Sequence, residues 1–420
     1  MDDGLKQVPI SGRCAPALAS LRTVFEENFT GGVELGAAFA VVRCGAPRPE
    51  VLLALHGGWT SADTSTPWAP DTLVNVYSTS KGVTALVLAG LVEEGRLDLD
   101  APVTDYWPAF GAAGKGACTV AQLLSHQGGL AGLRDAVAVE DFYDQAGLAA
   151  RLAAAQPLWP PGTAMGYHPI MWGTLAQQLC LAVSGETVGA RLARLVERCG
   201  AQFPKAFDEG SDEGFEESTG VGPDTGCDVH LGLPPAEHAR CAVINGPNRP
   251  WRAVAGITDA EPLSREASAF DAIVDGNPVI RPFGDVGSAP WREAELPAAN
   301  VHATALGLAA LFAHALVEGG DGLARARRQV VGPEEPDLVL TGRRFRRSAA
   351  GFMLNHEGCY GPNADAFGHD GAGGSFAFAD PQAGIAVAYV MNQMQVHREA
   401  DRRGRRLVDA LYGAIAGALS

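Results

Sequence analysis

A chain of 420 residues with a formal net charge of −16 has room for two substantial domains, or one large domain with insertions. Its acidic balance excludes a nucleic-acid partner, which demands a basic surface. No run reaches the roughly 18 apolar residues of a membrane span, and the opening MDDGLKQVPISGR lacks the apolar core of a secretory signal.

Taken in chain order, the first periodic stretch is a helix with Leu18, Leu21, Val24 and Phe25 on one face. Two strand-like runs follow, AAFAVVR (37–43) and VLLALHG (51–57), joined by a Gly/Pro turn and therefore read as a hairpin. Behind Ser78 runs a helix whose Val83, Leu86, Val87, Leu88, Leu91 and Val92 wrap most of its circumference, so it is expected at the centre of the molecule, with Gly95 as its stop. From about 100 to 200 the pattern is helical, interrupted by the loops PAFGAAGKG, SHQGGLAG and WPPGTAMGY. Residues 205–228 place Asp208, Glu209, Asp212, Glu213, Glu216 and Glu217 among glycines and serines, which reads as an acidic surface insertion. Helical and irregular segments continue to about 295, and a helix covers His302 to Val317. Strands return at 349–354, 375–379 and 384–391, the last two joined at Asp380–Gly384, and an amphipathic helix from about 395 to 418 closes the chain.

Strands thus fall near both ends of the sequence, with helices between. The economical fold is α/β in composition, one antiparallel sheet assembled from both termini and flanked by helices. On this reading residues 1–75 and 296–420 form the α/β domain and 76–295 a mainly helical inserted domain, with the site at their seam. The arginine runs at Arg325–Arg328, Arg343–Arg347 and Arg402–Arg406 read as solvated faces. Eight cysteines without a C-x-x-C pair or metal spacing are expected to be reduced and structural, as in a cytoplasmic protein.

The chemistry is concentrated at STSK. Ser78 and Lys81 stand three residues apart at the head of the buried helix, a spacing that puts both on one helix face. Serine needs something to take its proton, and a lysine can do so where burial and a helix N-terminus disfavour its ammonium. Of the four lysines in the chain, Lys81 is the one at such a position. Further on, WPPGTAMGYHP supplies Tyr167, and FGHDGAGGSFAFADP supplies His369, Asp370 and Gly371 before a hairpin. There is no G-x-S-x-G, which excludes an α/β-hydrolase nucleophile elbow.

These three motifs, in this order, resemble the serine β-lactamase and penicillin-binding-protein superfamily, in particular its class C-like branch and the family VIII carboxylesterases. The stretches TVAQLLSHQGGL (119–130), AANVHATALGLAALF (298–312) and YVMNQM (389–394) are similar too. The resemblance implies a β-lactamase-like fold and hydrolysis of small-molecule esters without metal or organic cofactor. It makes Ser78 the nucleophile, with Lys81 and Tyr167 sharing the proton work. The oxyanion hole falls to the N–H groups of Ser78 and Ala372, and His369, Gly371 and Gln127 are expected to line the substrate site. Two departures point from lactams toward esters. The class C motif Y-x-N reads Tyr167-His168-Pro169 here, and His369 stands where lactamases carry lysine. A weak β-lactamase, a D-alanyl peptidase and an acyltransferase stay open as alternatives, as does a binding protein that kept the fold without catalysis.

Overall fold

The computed structural model describes residues 8–45, 48–203, 226–246, 286–332, 334–339, 343–395 and 402–418. A nine-stranded antiparallel sheet dominates it, in the order β1-β3-β2-β12-β11-β10-β9-β8-β7. The N-terminal part contributes β1 (Ile10–Cys14), β2 (Gly36–Arg43) and β3 (Glu50–Gly58). The C-terminal part contributes β7 (Gln329–Val331), β8 (Arg346–Ser348), β9 (Met353–Leu354), β10 (Phe367–Asp370), β11 (Phe376–Asp380) and β12 (Ile385–Met391). The two ends of the chain join where β2 pairs with β12, from Arg43 opposite Ile385 to Ala37 opposite Met391. The expected β-lactamase-like architecture, a sheet built from both termini, is the one observed.

The central strands are buried on both faces, which is why they read as almost unbroken apolar runs. Their alternation sorts side chains by size. Ala38, Ala40, Ala386 and Ala388 face the core that also contains α2 (Thr79–Glu93) and the long C-terminal-half helix Ala305–Glu318. Phe39, Val41, Phe376, Phe378 and Tyr389 face the opposite core, closed by α1 (Ala19–Thr30) and the terminal helix Arg403–Ala418. Small residues let helix Ala305–Glu318, itself rich in alanine, lie close to β2 and β12. Large ones fill the wider gap under the terminal helices.

Helix α2 packs on β10 and β11 and against the helices α5 (Met171–Ser184) and α6 (Val188–Gln202). Thirteen of its residues are buried, Lys81 among them. Each fully buried leucine or valine contributes about 1.5–3 kcal/mol, so the helix that carries the motif is anchored along its whole length. Between α2 and α5 in the sequence lie α3 (Val120–Leu124) and α4 (Gln145–Ala154) with several 3-10 turns.

Several expectations need correction. A three-stranded sheet of β4 (Val74–Asn75), β6 (His302–Ala303) and β5 (Val229–His230) lies away from the chain ends, so strands are not confined to them. Two-residue strands carry no periodicity to read. His302 and Ala303 belong to this sheet, and the helix expected from His302 begins only at Ala305, capped by Thr304. The run 349–354 is not one strand. Residues 349–352 turn between β8 and β9, with Gly351 at φ 96°, where a Cβ would collide with the Trp172 ring and Leu124 O. His369 and Asp370 precede the β11–β12 hairpin as expected, and they are themselves the end of a strand, β10, which pairs with β11. Of the acidic segment 205–228, residues 205–225 lie outside the described residues. Cys227 and Asp228 are buried, not part of a surface insertion, because Asp228 is held by His230 and Arg240. Residues 247–285 and 396–401 also lie outside the described residues. The arginine runs are not uniformly solvated, since Arg347 and Arg403 are 1% and 2% exposed.

Candidate active site

The chain approaches Ser78 along β4, whose residues pair with β6, and Val76 N–H continues the pairing to Val301 O at 3.0 Å. Tyr77 then takes φ 47°, a left-handed conformation that costs a non-glycine residue about 1–3 kcal/mol. That reversal delivers Ser78 to the N-cap position of α2, with Oγ free of any capping duty. Ser80 Oγ accepts the Val301 N–H at 3.0 Å and ties the first turn to the same support.

Lys81 Nζ lies 3.1 Å from Ser78 Oγ, 2.7 Å from Pro169 O and 3.1 Å from Ala298 O. Burial, then the Arg347 charge, push this amine well below an ordinary lysine. A neutral amine has two N–H donors and one lone pair. With the two carbonyls accepting N–H groups, the neutral form of this amine would turn its lone pair to Ser78 Oγ. Pro169 sits at the position where the class C pattern has an amide, and it contributes its backbone carbonyl to the lysine.

Tyr167 Oη donates to Ser78 Oγ at 2.8 Å. The tyrosine's backbone is pinned by the buried carboxylate of Asp337, whose Oδ1 accepts Tyr167 N–H at 3.0 Å and Val339 N–H at 2.8 Å. Its ring is enclosed by Lys81 Nζ at 4.9 Å, Arg347 Cζ at 5.3 Å and the His126 ring at 4.8 Å. Amine and phenol therefore converge on the serine oxygen.

A beta-lactamase family model matches residues 25–412. The chain belongs to the beta-lactamase family. It is 33% identical over 404 residues to the esterase/beta-lactamase LipL of Mycobacterium tuberculosis, an alignment covering 92% of this chain and 83% of that one. It is 30% identical over 206 residues to the esterase EstB of Burkholderia gladioli, covering 45% and 50%. Among solved structures, a family VIII carboxylesterase superposes with TM-score 0.78 at 36% identity, covering 97% of this chain and all (100%) of the other. EstA from Arthrobacter nitroguajacolicus gives TM-score 0.76 at 28% identity, covering 98% and 100%.

The turn after β10 packs directly on the segment that carries the serine. A Cβ on Gly371 would lie 2.2 Å from Val76 O and 2.3 Å from Ser375 Oγ, so only glycine permits this approach. Ser375 Oγ donates to Val76 O at 3.0 Å and holds the two segments together. Among the described residues, the N–H groups of Ser78 and Ala372 have no protein acceptor. The half-buried Gln127 amide donates to Ser125 Oγ at 2.7 Å.

His369 is 2% exposed. Its Nε2 accepts from Arg347 Nη1 at 3.0 Å, which leaves Nδ1 as the protonated nitrogen, donating to Asp370 O at 2.7 Å. Asp370 is in turn the acceptor of Tyr360 Oη at 2.7 Å. His168 and His126 staple the loops around the tyrosine. His168 Nε2 accepts Leu130 N–H at 2.9 Å, and His126 Nδ1 accepts His168 N–H at 3.1 Å. Burial holds both imidazoles neutral, His168 down to about 4 and His126 well below its usual value.

Sequence reasoning missed Arg347, His126, Asp337 and the carbonyl of Ala298. Ala298 lay inside a quoted stretch, but a carbonyl carries no residue-type signal. Arg347 was hidden in a run of five residues, RRFRR, four of them arginine. Among the described residues, no group of three His, Cys, Asp or Glu side chains is placed to hold a metal ion, and no helix is long and apolar enough to cross a membrane.

Proposed function

We propose that the protein is a serine carboxylesterase that hydrolyses short-chain esters through an acyl-enzyme on Ser78. The observation that carries this reading is the convergence of Lys81 Nζ at 3.1 Å and Tyr167 Oη at 2.8 Å on Ser78 Oγ. Its relatives LipL and EstB are both named as esterases.

In the reaction, Ser78 Oγ attacks the acyl carbon while its proton passes to the Lys81–Tyr167 pair. Oxygen charge developing on the former carbonyl is received by the two N–H groups without protein acceptors, those of Ser78 and Ala372. Tyr167 then hands a proton to the leaving alkoxide as the C–O bond breaks. Water repeats the sequence on the acyl-enzyme, giving up its proton to the pair and releasing the acid. Lys81 supports this role because two carbonyls already engage its N–H groups, so that its neutral form would turn the lone pair to the serine.

The neutral His369, bound to Arg347 and to Asp370 O, presents no cation of its own for a β-lactam carboxylate. That favours uncharged esters over lactams. The relative named esterase/beta-lactamase supplies the second reading, lactam hydrolysis as the main activity. Intact-mass analysis with a serine-directed phosphonate separates enzyme from binder. One adduct on the unaltered chain, absent in Ser78→Ala, is expected, and labelling that persists in Ser78→Ala removes the assignment. Hydrolysis of acetyl to hexanoyl 4-nitrophenyl esters is expected to exceed cephalosporin turnover in kcat/KM; the reverse order makes the chain a lactamase.

A further inference from the structure

Arg347 stands in the middle of β8, opposite Met353, which is opposite Gly368 of β10. Its side chain crosses β9 to reach the adjacent residue of β10, His369, at 3.0 Å. On the way the guanidinium lies between two rings, 4.8 Å from the centroid of Phe345 and 5.3 Å from that of Tyr167. Arginine does not lose its proton in proteins. A permanent positive charge is therefore held face-on to the phenol that touches the nucleophile.

Every element around that phenol contributes a polar group, and they differ in what charge they carry. From α2 comes Lys81, from the loop after α3 His126, from the proline-rich loop His168, and from β10 His369. Lys81, His126 and His168 are pushed toward their neutral forms, and His369 is fixed as the neutral Nδ1–H tautomer by the bond from Arg347. The acidic neighbour is Asp337, whose Oδ1 is engaged by the backbone of Tyr167 and Val339.

We propose that Arg347 is a positioning residue that sets the proton count of the Lys81–Tyr167 pair, expelling one proton so that the pair can accept the Ser78 proton at neutral pH. Its guanidinium at the same time locks His369 out of the proton traffic. This rests on the acyl-enzyme reading above. With two protons the pair carries one positive charge, with one proton none, and a fixed cation beside it disfavours the first form. After burial, Arg347 is the next cause holding Lys81 low, and it acts on His126 in the same order. The balance of the step is simple. The Ser78 Oγ–H bond breaks as the Oγ–acyl bond forms, the pair carries the proton, and the leaving alkoxide receives it.

The test is single-turnover acylation by 4-nitrophenyl acetate from pH 5 to 9 in the unaltered chain, Arg347→Gln and Arg347→Lys. Removing the cation raises the pH at which the pair loses its first proton. The acidic limb of Arg347→Gln should move up by about one to three units, so acylation at pH 7 falls roughly tenfold or more and recovers toward pH 9. Arg347→Lys keeps a charge at the site and should hold its limb nearer the unaltered position. A folded Arg347→Gln that loses rate equally at all pH values, with its limb unmoved, makes Arg347 a packing residue and overturns the proposal. If Arg347→Gln does not fold, the decision passes to Arg347→Lys, whose limb must stay near the unaltered one. A rate in the unaltered chain that is still climbing tenfold per unit at pH 9 also overturns it, since nothing then holds the pair deprotonated. Absence of acylation at Ser78 in the unaltered chain is a different result and removes the acyl-enzyme reading instead.

Discussion

Two buried lysines in this protein invite comparison. Lys81 and Lys115 are both fully shielded from solvent, and both donate to two backbone carbonyls. Lys115 joins Ala112 O at 2.7 Å to Ala155 O at 2.6 Å, stitching a 3-10 turn to the end of α4. Burial lowers both amines from their ordinary value. What separates them is the third neighbour. Lys81 has the Ser78 hydroxyl at 3.1 Å and a guanidinium that opposes its charge. Lys115 has the Phe110 ring at 5.5 Å and, nearby, the Cys118 thiol, which burial pushes up to about 12, and no cation that opposes its charge among the causes acting on it. Desolvation makes a lysine reluctant to hold a proton, and on the mechanism proposed above the neighbouring hydroxyl is what turns that reluctance into base catalysis.

The comparison breaks most visibly in rate. Lys81→Ala is expected to slow single-turnover acylation by roughly 10²–10⁴-fold, the range for loss of a positioned base. Lys115→Met should stay within about twofold of the unaltered rate, as a substitution outside the reacting groups does. Equal losses in stopped-flow measurements would mean that burial alone had been mistaken for function.

A second measurement concerns the partner that only Lys81 possesses. Tyr167→Phe should also lose roughly 10²-fold or more, and the Lys81→Ala/Tyr167→Phe double variant should fall well short of the product of the two losses. Acylation of Tyr167→Phe at the unaltered rate would leave the phenol a structural group.

Stability should not separate the two lysines as rate does, since each holds two carbonyls. Lys115→Met leaves the carbonyls of Ala112 and Ala155 without their donor, a loss of about 1–3 kcal/mol. Urea denaturation should show the midpoint falling with an unchanged slope. No change in midpoint would remove the stitching role.

The smallest effect separates the two lysines by their pH dependence. An amine lowered in the folded state binds a proton on unfolding, so folding becomes more favourable as pH rises from neutral toward the unfolded value near 10.4. Lys81→Met removes that contribution. The stability of the unaltered chain relative to this variant should therefore rise with pH between pH 7 and 9. A difference that stays flat with pH would mean that Lys81 is protonated in the folded protein.

Legibility followed the range of the interaction. The strands of β2, β3, β11 and β12 were readable because they are long and apolar on both faces, and their joining into one sheet followed from their place at the two ends of the chain. The strands β4 to β9 were missed or blurred because two or three residues show no period. At the site, Ser78 and Lys81 could be paired from sequence because a helix alone determines what residues three apart can touch. Tyr167 and His369 came from motif order, not from any local signal.

What the sequence by itself determined is therefore the local geometry of S-x-x-K, the apolar circumference of the helix behind it, and the order of the motifs. Tertiary structure alone decided which groups complete the site. The carbonyls that orient Lys81 lie 88 and 217 residues away from it in sequence. Arg346 and Arg347 are neighbours of the same type on β8, yet Arg346 holds Gln329 and the backbone of Asn355 and Ala364 near the surface while Arg347 turns inward beneath Tyr167. Alternation along a strand guarantees that adjacent side chains point to opposite faces. Which face is the buried one depends on what packs there, and that is a property of the whole chain.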